Sequence, residues 1–272
     1  MDQVKTYQLA ENALARGYRL HLYDEIGSTN DEALAFARAG EQDKAWFVAK
    51  AQRKGRGRQQ REWISPAGNL HASLLLLGEV APAIAPQLGF VAGVALRKAL
   101  LKSLPDGTRL KLKWPNDILC DGAKLAGILL ESTMTDGRFA CVIGIGVNCT
   151  SAPEGLAYRA TSLAASEAEI QDAREVFQAL SHEIVVALDR FAGGAGFSAI
   201  REEWLAAAGG IDGPIRVVTP NATREGIFRG IDAAGRLILE SGEGTTAIEA
   251  GDIWLLENAM TGNGKHGADA RS

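Results

Sequence analysis

Five cations fall within nine residues: Arg53, Lys54, Arg56, Arg58 and Arg61, with Gly55 and Gly57 between them and no acid before Glu62. Glycine lets successive backbone N–H groups turn toward one point, and guanidinium groups present paired donors that match phosphate or carboxylate oxygens. The stretch can wrap a small anion. A charge run alone also fits a solvated loop, so the other reactive residues matter. Lys124 follows the tight-turn pair Asp121-Gly122 and opens a strand, which holds its ammonium in place. Asn116 and Asp117 follow Pro115 on the preceding strand of that hairpin, within reach of Lys124. An arginine cradle, a fixed lysine and a nearby carboxylate suit phosphoryl or adenylyl transfer, where the protein positions reactants and offsets developing charge. Asp117 could orient an incoming amine or help to hold Mg²⁺.

The elements that must position these groups follow from periodicity and turn chemistry. A short helix is expected over residues 3–16, ended by Gly17, and a strand over Tyr18–Tyr23. Ser28 and Thr29 then open a helix to Ala39; Thr29 and Glu32 have capping-box spacing, and the other hydroxyl is free to face a ligand. Apolar residues 45–49 and 70–77 make strands that flank the basic loop. A helix runs from about Gln87 to Ser103. Three hairpin-linked strands follow, through the turns at Asp121-Gly122 and Asp136-Gly137, so the sheet is mainly antiparallel and not doubly wound. Gly144-Ile-Gly-Val-Asn148 lacks the third glycine and the following helix of a dinucleotide fingerprint. Two helices, near 172–191 and 197–208, precede five short β segments between 215 and 256. The expected organisation is α+β: residues 1–208 form a domain with a mainly antiparallel mixed sheet flanked by helices. Residues 209–258 form a small C-terminal SH3-like β-barrel, and 259–272 a disordered tail.

Composition narrows the partner. A formal net charge of −4 makes the basic loop a local feature on an acidic background, which argues against general nucleic-acid binding by a loop-and-barrel module. The N-terminus lacks signal-peptide character, and no apolar run is expected to approach the length of a membrane span, so a cytoplasmic protein is expected. Cys120, Cys141 and Cys149 carry no metal-ligand or redox spacing and are read as buried free thiols.

Taken together, four motifs resemble those of the biotin protein ligases. Gly55-Arg-Gly-Arg-Gln-Gln-Arg-Glu-Trp63 resembles that family's G-R-G-R-x-G-R-x-W loop, with Gln60 in place of a glycine. Lys113-Trp-Pro-Asn-Asp117, Lys124-Leu-Ala-Gly-Ile128 and Gly144-Ile-Gly-Val-Asn148 resemble the next three, in the same order; Gly27-Ser-Thr-Asn30 is similar to a D-S-T-N segment. The resemblance spans residues 18–257 and implies the class II synthetase-like fold, with no N-terminal DNA-binding domain and no DNA partner. It implies that ATP and biotin, with Mg²⁺, give biotinyl-5′-AMP, and that biotin then passes to a lysine of a biotin carboxyl carrier protein. It implies catalytic roles for Lys124, Arg58 and Asp117, and contacts to biotin from Ser28, Thr29, Asn30, Gln52, Gly55, Arg56, Gly57, Arg58, Lys124 and Gly127. ATP is expected at Arg56, Arg58, Arg61, Trp63, Lys113, Asn116, Lys124 and Asn148. A homodimer is compatible with the resemblance. A lipoate or octanoate ligase or transferase of the same fold is the alternative, though it is not expected to combine the G-R-G-R loop with K-W-P-N-D. Glycines and unpaired like charges lead to the expectation that residues 53–62 are mobile until they close over an adenylate.

Overall fold

The computed structural model describes residues 6–40 and 44–256. The tail expectation for 259–272, and the start of the first helix, lie outside the described residues. Helix α1 is shorter than expected, Glu11–Ala15, and its N-cap Ala10 makes no side-chain hydrogen bond. Strand β1 (Arg19–Ile26) runs through helix α2 (Thr29–Arg38) into β2 (Ala45–Gln52). After the basic loop come β3 (Leu70–Leu77), a 3₁₀ turn (Pro82–Gln87) and helix α3 (Leu88–Leu100). Strands β4 (Leu110–Lys113), β5 (Asp117–Cys120), β6 (Ala123–Thr135) and β7 (Arg138–Val147) follow as hairpins. Helices α4 (Ala173–Phe191) and α5 (Phe197–Ala207) lead to β8 (Pro214–Val218), β9 (Thr223–Ile231), β10 (Leu237–Ser241), β11 (Gly244–Ile248) and β12 (Asp252–Leu255).

Seven strands form one sheet in the order β1-β2-β3-β7-β6-β5-β4. Only β1 and β2 pair in parallel, as a β-α-β crossover requires; the other neighbours are antiparallel. Side chains alternate across it. Trp46, Val48, Leu74 and Leu76 join the core under α3 and α4, whereas Phe47, Leu75, Leu77, Ala140 and Val142 pack against α2. Both faces are covered, and for this reason β3 reads as one unbroken buried run.

One sequence expectation needs correction here. Pro82–Leu100 is long and apolar enough to cross a membrane by length and hydropathy, but 67% of it is buried inside the protein. A helix packed on nearly all sides is apolar on nearly all sides.

The C-terminal strands form a five-stranded antiparallel sheet, β11-β10-β9-β8-β12, with the SH3-like architecture expected. Its buried residues, such as Ile215, Val217, Phe228 and Leu239, belong to the same core as α3 and the large sheet. Polar contacts fix it there: Trp114 Nε1 donates to the Gly235 carbonyl at 3.1 Å, and Arg201 Nε to that of Ile231 at 2.7 Å.

Candidate functional site

The α2 face of the sheet carries side chains as far as Val142 and then loses them. Gly144 and Gly146 continue that face on β7, and Gly127 lies opposite Gly146 on β6. The bare backbone leaves a trough just beyond the α2 N-terminus. Both glycines are sterically required. A Cβ on Gly144 would stand 2.3 Å from Asn30 Oδ1, and one on Gly146 2.5 Å from the Trp63 indole. The motif that resembled part of a nucleotide fingerprint is thus a packing surface. The trough opens into a cavity of about 520 Å³ that also reaches the C-terminal sheet at Asp252 to Leu256.

One end of the cavity is a polar network on buried side chains. Of the two hydroxyls expected there, Ser28 caps α2 by accepting from Asp31 N. Thr29 is turned inward: its backbone N–H and hydroxyl donate to Gln52 Oε1 at 2.8 and 3.0 Å. Ser73 Oγ lies 2.7 Å from Thr29 Oγ1 and 2.5 Å from Asn30 Oδ1. Asn30 Nδ2 donates to Glu131 Oε2 at 2.7 Å. Gln52 Nε2 donates to Ser65 Oγ at 3.0 Å. These groups fix one another's orientation, which is what a recognition site for a small polar ring needs.

The basic loop forms the adjoining wall, folded back on itself. Trp63 N donates to Gly55 O at 3.0 Å, and Gly57 N to Arg61 O at 2.7 Å. Gly55 is pinned between Ser65 Oγ and Trp63 O, each 2.4 Å from where a Cβ would be, so no larger residue fits. At the tip, Gln59 and Gln60 adopt φ of 55° and 58°. The position where the family pattern places glycine is therefore a left-handed one, and Gln60 holds it at some cost in backbone strain.

The premise of unpaired like charges fails. Arg56 forks onto Asp31 at 2.6 and 2.9 Å and onto Glu131 at 2.8–3.2 Å. Hydrogen bonding to Asp31 pushes its guanidinium further above the ordinary value, against the effect of burial. Arg53 pairs with Glu25, and Arg58 and Arg61 share Asp252. Burial pushes Arg58 down, opposed by Asp252; burial does the same to Lys113, opposed by Asp117. Arg58 and Lys113 are the desolvated cations of this wall, and an anionic ligand would compensate both.

Lys124 stands on the third side. Its Nζ is 2.7 Å from Asp117 Oδ1 and lies 5.4 and 5.5 Å from the ring centroids of Trp63 and Tyr158. Both members of the pair are mostly buried, with side-chain exposures of 18% and 17%. The β5–β6 hairpin brings them together, as the spacing predicts, and the Trp114–Pro115 peptide before it is cis. Asn116 Nδ2 donates to the Ile128 carbonyl at 2.6 Å. The Trp63 indole N–H is buried without a hydrogen-bond partner, a donor left over at the cavity wall.

Of the expected site residues, Ser28, Thr29, Asn30, Gln52, Arg56, Gly57, Arg58, Arg61, Trp63, Lys113, Asn116, Asp117, Lys124 and Gly127 all line this cavity. Two do not. Gly55 lies behind it, and Asn148 lines a small side pocket of about 80 Å³ shared with Trp63, Lys124 and Tyr158. Asn148 Nδ2 donates to the Thr161 carbonyl at 3.0 Å, so it ties the 150–161 segment to the end of β7. Ser73, Asp31, Glu131 and Asp252 were missed. Their signal is tertiary: Arg56 and Glu131 are 75 residues apart, and Arg58 and Asp252 are 194 apart.

Among the described residues there is no group of three or more His, Cys, Asp or Glu that could hold a metal ion, and Lys124 already engages the Asp117 carboxylate. The described residues thus offer no carboxylate cluster that would hold Mg²⁺ by itself. The three cysteines are free and buried.

Comparison with known proteins agrees with this geometry. A family model described as the biotin/lipoate A/B protein ligase family matches residues 24–148, and one described as the biotin protein ligase C-terminal domain matches 210–256. The chain is similar to a biotin–[acetyl-CoA-carboxylase] ligase of Paracoccus denitrificans, 39% identical over 84% of this chain and 97% of that protein. A bifunctional ligase/repressor of Bacillus subtilis is 34% identical over 88% of this chain and 74% of its own length. Among solved structures, a biotin protein ligase from Aquifex aeolicus in complex with biotin and ATP superposes with a TM-score of 0.73 at 25% identity, covering 88% of this chain and 98% of that one.

Proposed function

We infer, from the premise that this chain belongs to the biotin/lipoate A/B protein ligase family, that it is a biotin–carrier-protein ligase. It activates biotin with ATP and transfers it to a carboxylase carrier protein. The observation that carries this reading is one cavity that joins the Thr29–Asn30–Gln52 polar network to Arg58, Lys113 and Lys124. Biotin has matching ends: a polar ureido ring for the network, and a carboxylate that must meet an α-phosphate beside the cations.

In the first step a carboxylate oxygen of biotin attacks the α-phosphorus of ATP and pyrophosphate leaves. Lys124 stands where it can bridge the carboxylate and the phosphate, so its charge grows in value as the negative charge concentrates between them. Arg58 and Lys113 receive the phosphates. In the second step the ε-amine of the carrier lysine attacks the acyl carbon of the mixed anhydride, and AMP departs. Asp117 holds Lys124 in place and can orient the incoming amine. Gly57, Arg61 and Trp63 close the outer wall, which limits hydrolysis of the anhydride. Magnesium would arrive with the nucleotide and offset charge on its phosphates, since the described residues offer no carboxylate cluster for it. The acceptor lysine belongs to a specific carrier domain; we also propose a cytoplasmic protein that binds no DNA, and a homodimer is tested by sedimentation.

Biotin-dependent ATP–pyrophosphate exchange tests the first step directly. Exchange with biotin and little with lipoate is expected. Exchange driven equally by lipoate would favour the lipoate branch of the family instead.

A further inference from the structure

The C-terminal sheet sends a single carboxylate into the cavity. Asp252 is the first residue of β12 and pairs with Val218 of β8. Gly251 before it lies so close to β8 that a Cβ would stand 2.9 Å from the Val218 carbonyl, which seats this end of the strand firmly. Arg58 Nη1 donates to the Gly251 carbonyl at 3.0 Å and to Asp252 Oδ1 at 3.3 Å, while Arg61 Nη2 makes a short contact with Oδ2. Two residues on, the Trp254 ring lies 5.8 Å from Lys113 Nζ. One strand of the second domain therefore meets three cations of the cavity, and two arginines share one carboxylate.

We propose that Asp252 is a positioning residue for the nucleotide: it holds Arg58 and Arg61 at the cavity mouth before an anion arrives and yields them to the phosphates of the bound nucleotide. This deepens the ligase reading and rests on it. Without that carboxylate, Arg58, Arg61 and Lys113 would face one another beside Asp117, which is paired with Lys124. The left-handed Gln59 and Gln60 add a cost to the folded tip. The loop would then spend more time in conformations that cannot receive ATP. A polyphosphate carries more charge than one carboxylate and displaces it, and Asp252, 28% exposed, returns to water. The C-terminal domain thereby becomes a working part of the nucleotide site.

The test uses the full chain with Asp252→Asn, which keeps the shape and removes the charge, and Asp252→Glu, which restores the charge. Backbone hydrogen exchange of residues 55–63 is followed without ligands and with biotin plus ATP, alongside biotin-dependent ATP–pyrophosphate exchange. If the receptive fraction of the loop drops to roughly a tenth, Asp252→Asn shows an about tenfold higher KM for ATP, with kcat largely retained, and exchanges faster at these amides without ligands. With both substrates bound, its protection matches the wild type, and Asp252→Glu recovers most of both effects. Wild-type exchange and wild-type KM in Asp252→Asn would overturn the proposal, as would a lowered KM, which would make Asp252 a competitor of ATP. A loss confined to kcat, with faster exchange throughout β8–β12, would show a structural role and overturn it too. Absence of biotin-dependent exchange in the wild type would count against the ligase reading, while the loop amides would still decide on Asp252.

Discussion

Glu131→Gln is the most informative single change, because the residue joins Arg56 of the basic loop to Asn30 of the buried polar network. Glu131 accepts from Arg56 Nε at 3.2 Å, from Arg56 Nη2 at 2.8 and 3.1 Å, and from Asn30 Nδ2 at 2.7 Å. The amide keeps the shape but removes the charge and turns one acceptor into a donor that faces other donors. Bonds to an ionised partner contribute about 1.5–3 kcal/mol each in buried settings. Asp31 still pairs with Arg56, and the Glu131 side chain is 23% exposed, so the loss is set at the lower end, about 2 kcal/mol in total. For a chain of this size that corresponds to a fall in melting temperature of roughly 4–8 °C. Asn30 loses one of its two anchors and keeps Ser73. KM for biotin should rise about tenfold, equivalent to about 1.4 kcal/mol, with little change in KM for ATP. Thermal unfolding and biotin-dependent ATP–pyrophosphate exchange measure both. An unchanged melting temperature together with an unchanged KM for biotin would refute the idea that this carboxylate orients the site.

Lys124→Ala should keep the fold and reduce adenylate formation by about 10²–10³-fold, since it removes a charge aimed at the reacting atoms; intact adenylation in single-turnover assays would remove Lys124 from the mechanism. Gln60→Gly should relieve the left-handed tip and stabilise the protein by about 1 kcal/mol in denaturant titration. Loss of stability would mean that the side chain does something the backbone does not reveal. Burial pushes the thiols of Cys141 and Cys149 up to about 12. Unfolded thiols ionise near pH 8.5, so the raised folded values contribute stability that is fully present below about pH 8.5 and is lost as pH rises toward 12. The denaturation midpoint should fall across that window, and Cys141→Ala with Cys149→Ala should flatten the fall.

Local patterns in the chain were informative wherever local chemistry sets the structure. Alternation and turn pairs placed β1–β7, because Asp121-Gly122 and Asp136-Gly137 do adopt the left-handed conformations a tight hairpin requires. The hairpin spacing brought Lys124 to Asp117. Charge pairing across the fold was not legible: the basic run looked self-repelling because Asp31, Glu131 and Asp252 reach it only after the sheet and the C-terminal domain assemble. Apparent mobility was inferred from that missing counter-charge. Which of the adjacent hydroxyls caps α2 was not legible, since a sequence does not show that Gln52 recruits Thr29 and leaves Ser28 at the cap. The glycines at 127, 144 and 146 were read as a motif, but their reason is steric and needs Trp63 and Asn30 in place.

The central claim is tested most directly by mass spectrometry of an isolated carboxylase carrier domain after incubation with the purified protein, biotin, ATP and Mg²⁺. A single biotinyl group on one carrier lysine is expected, dependent on ATP and lost in Lys124→Ala. An unmodified carrier, under conditions in which a known biotin ligase labels it fully, would contradict the account.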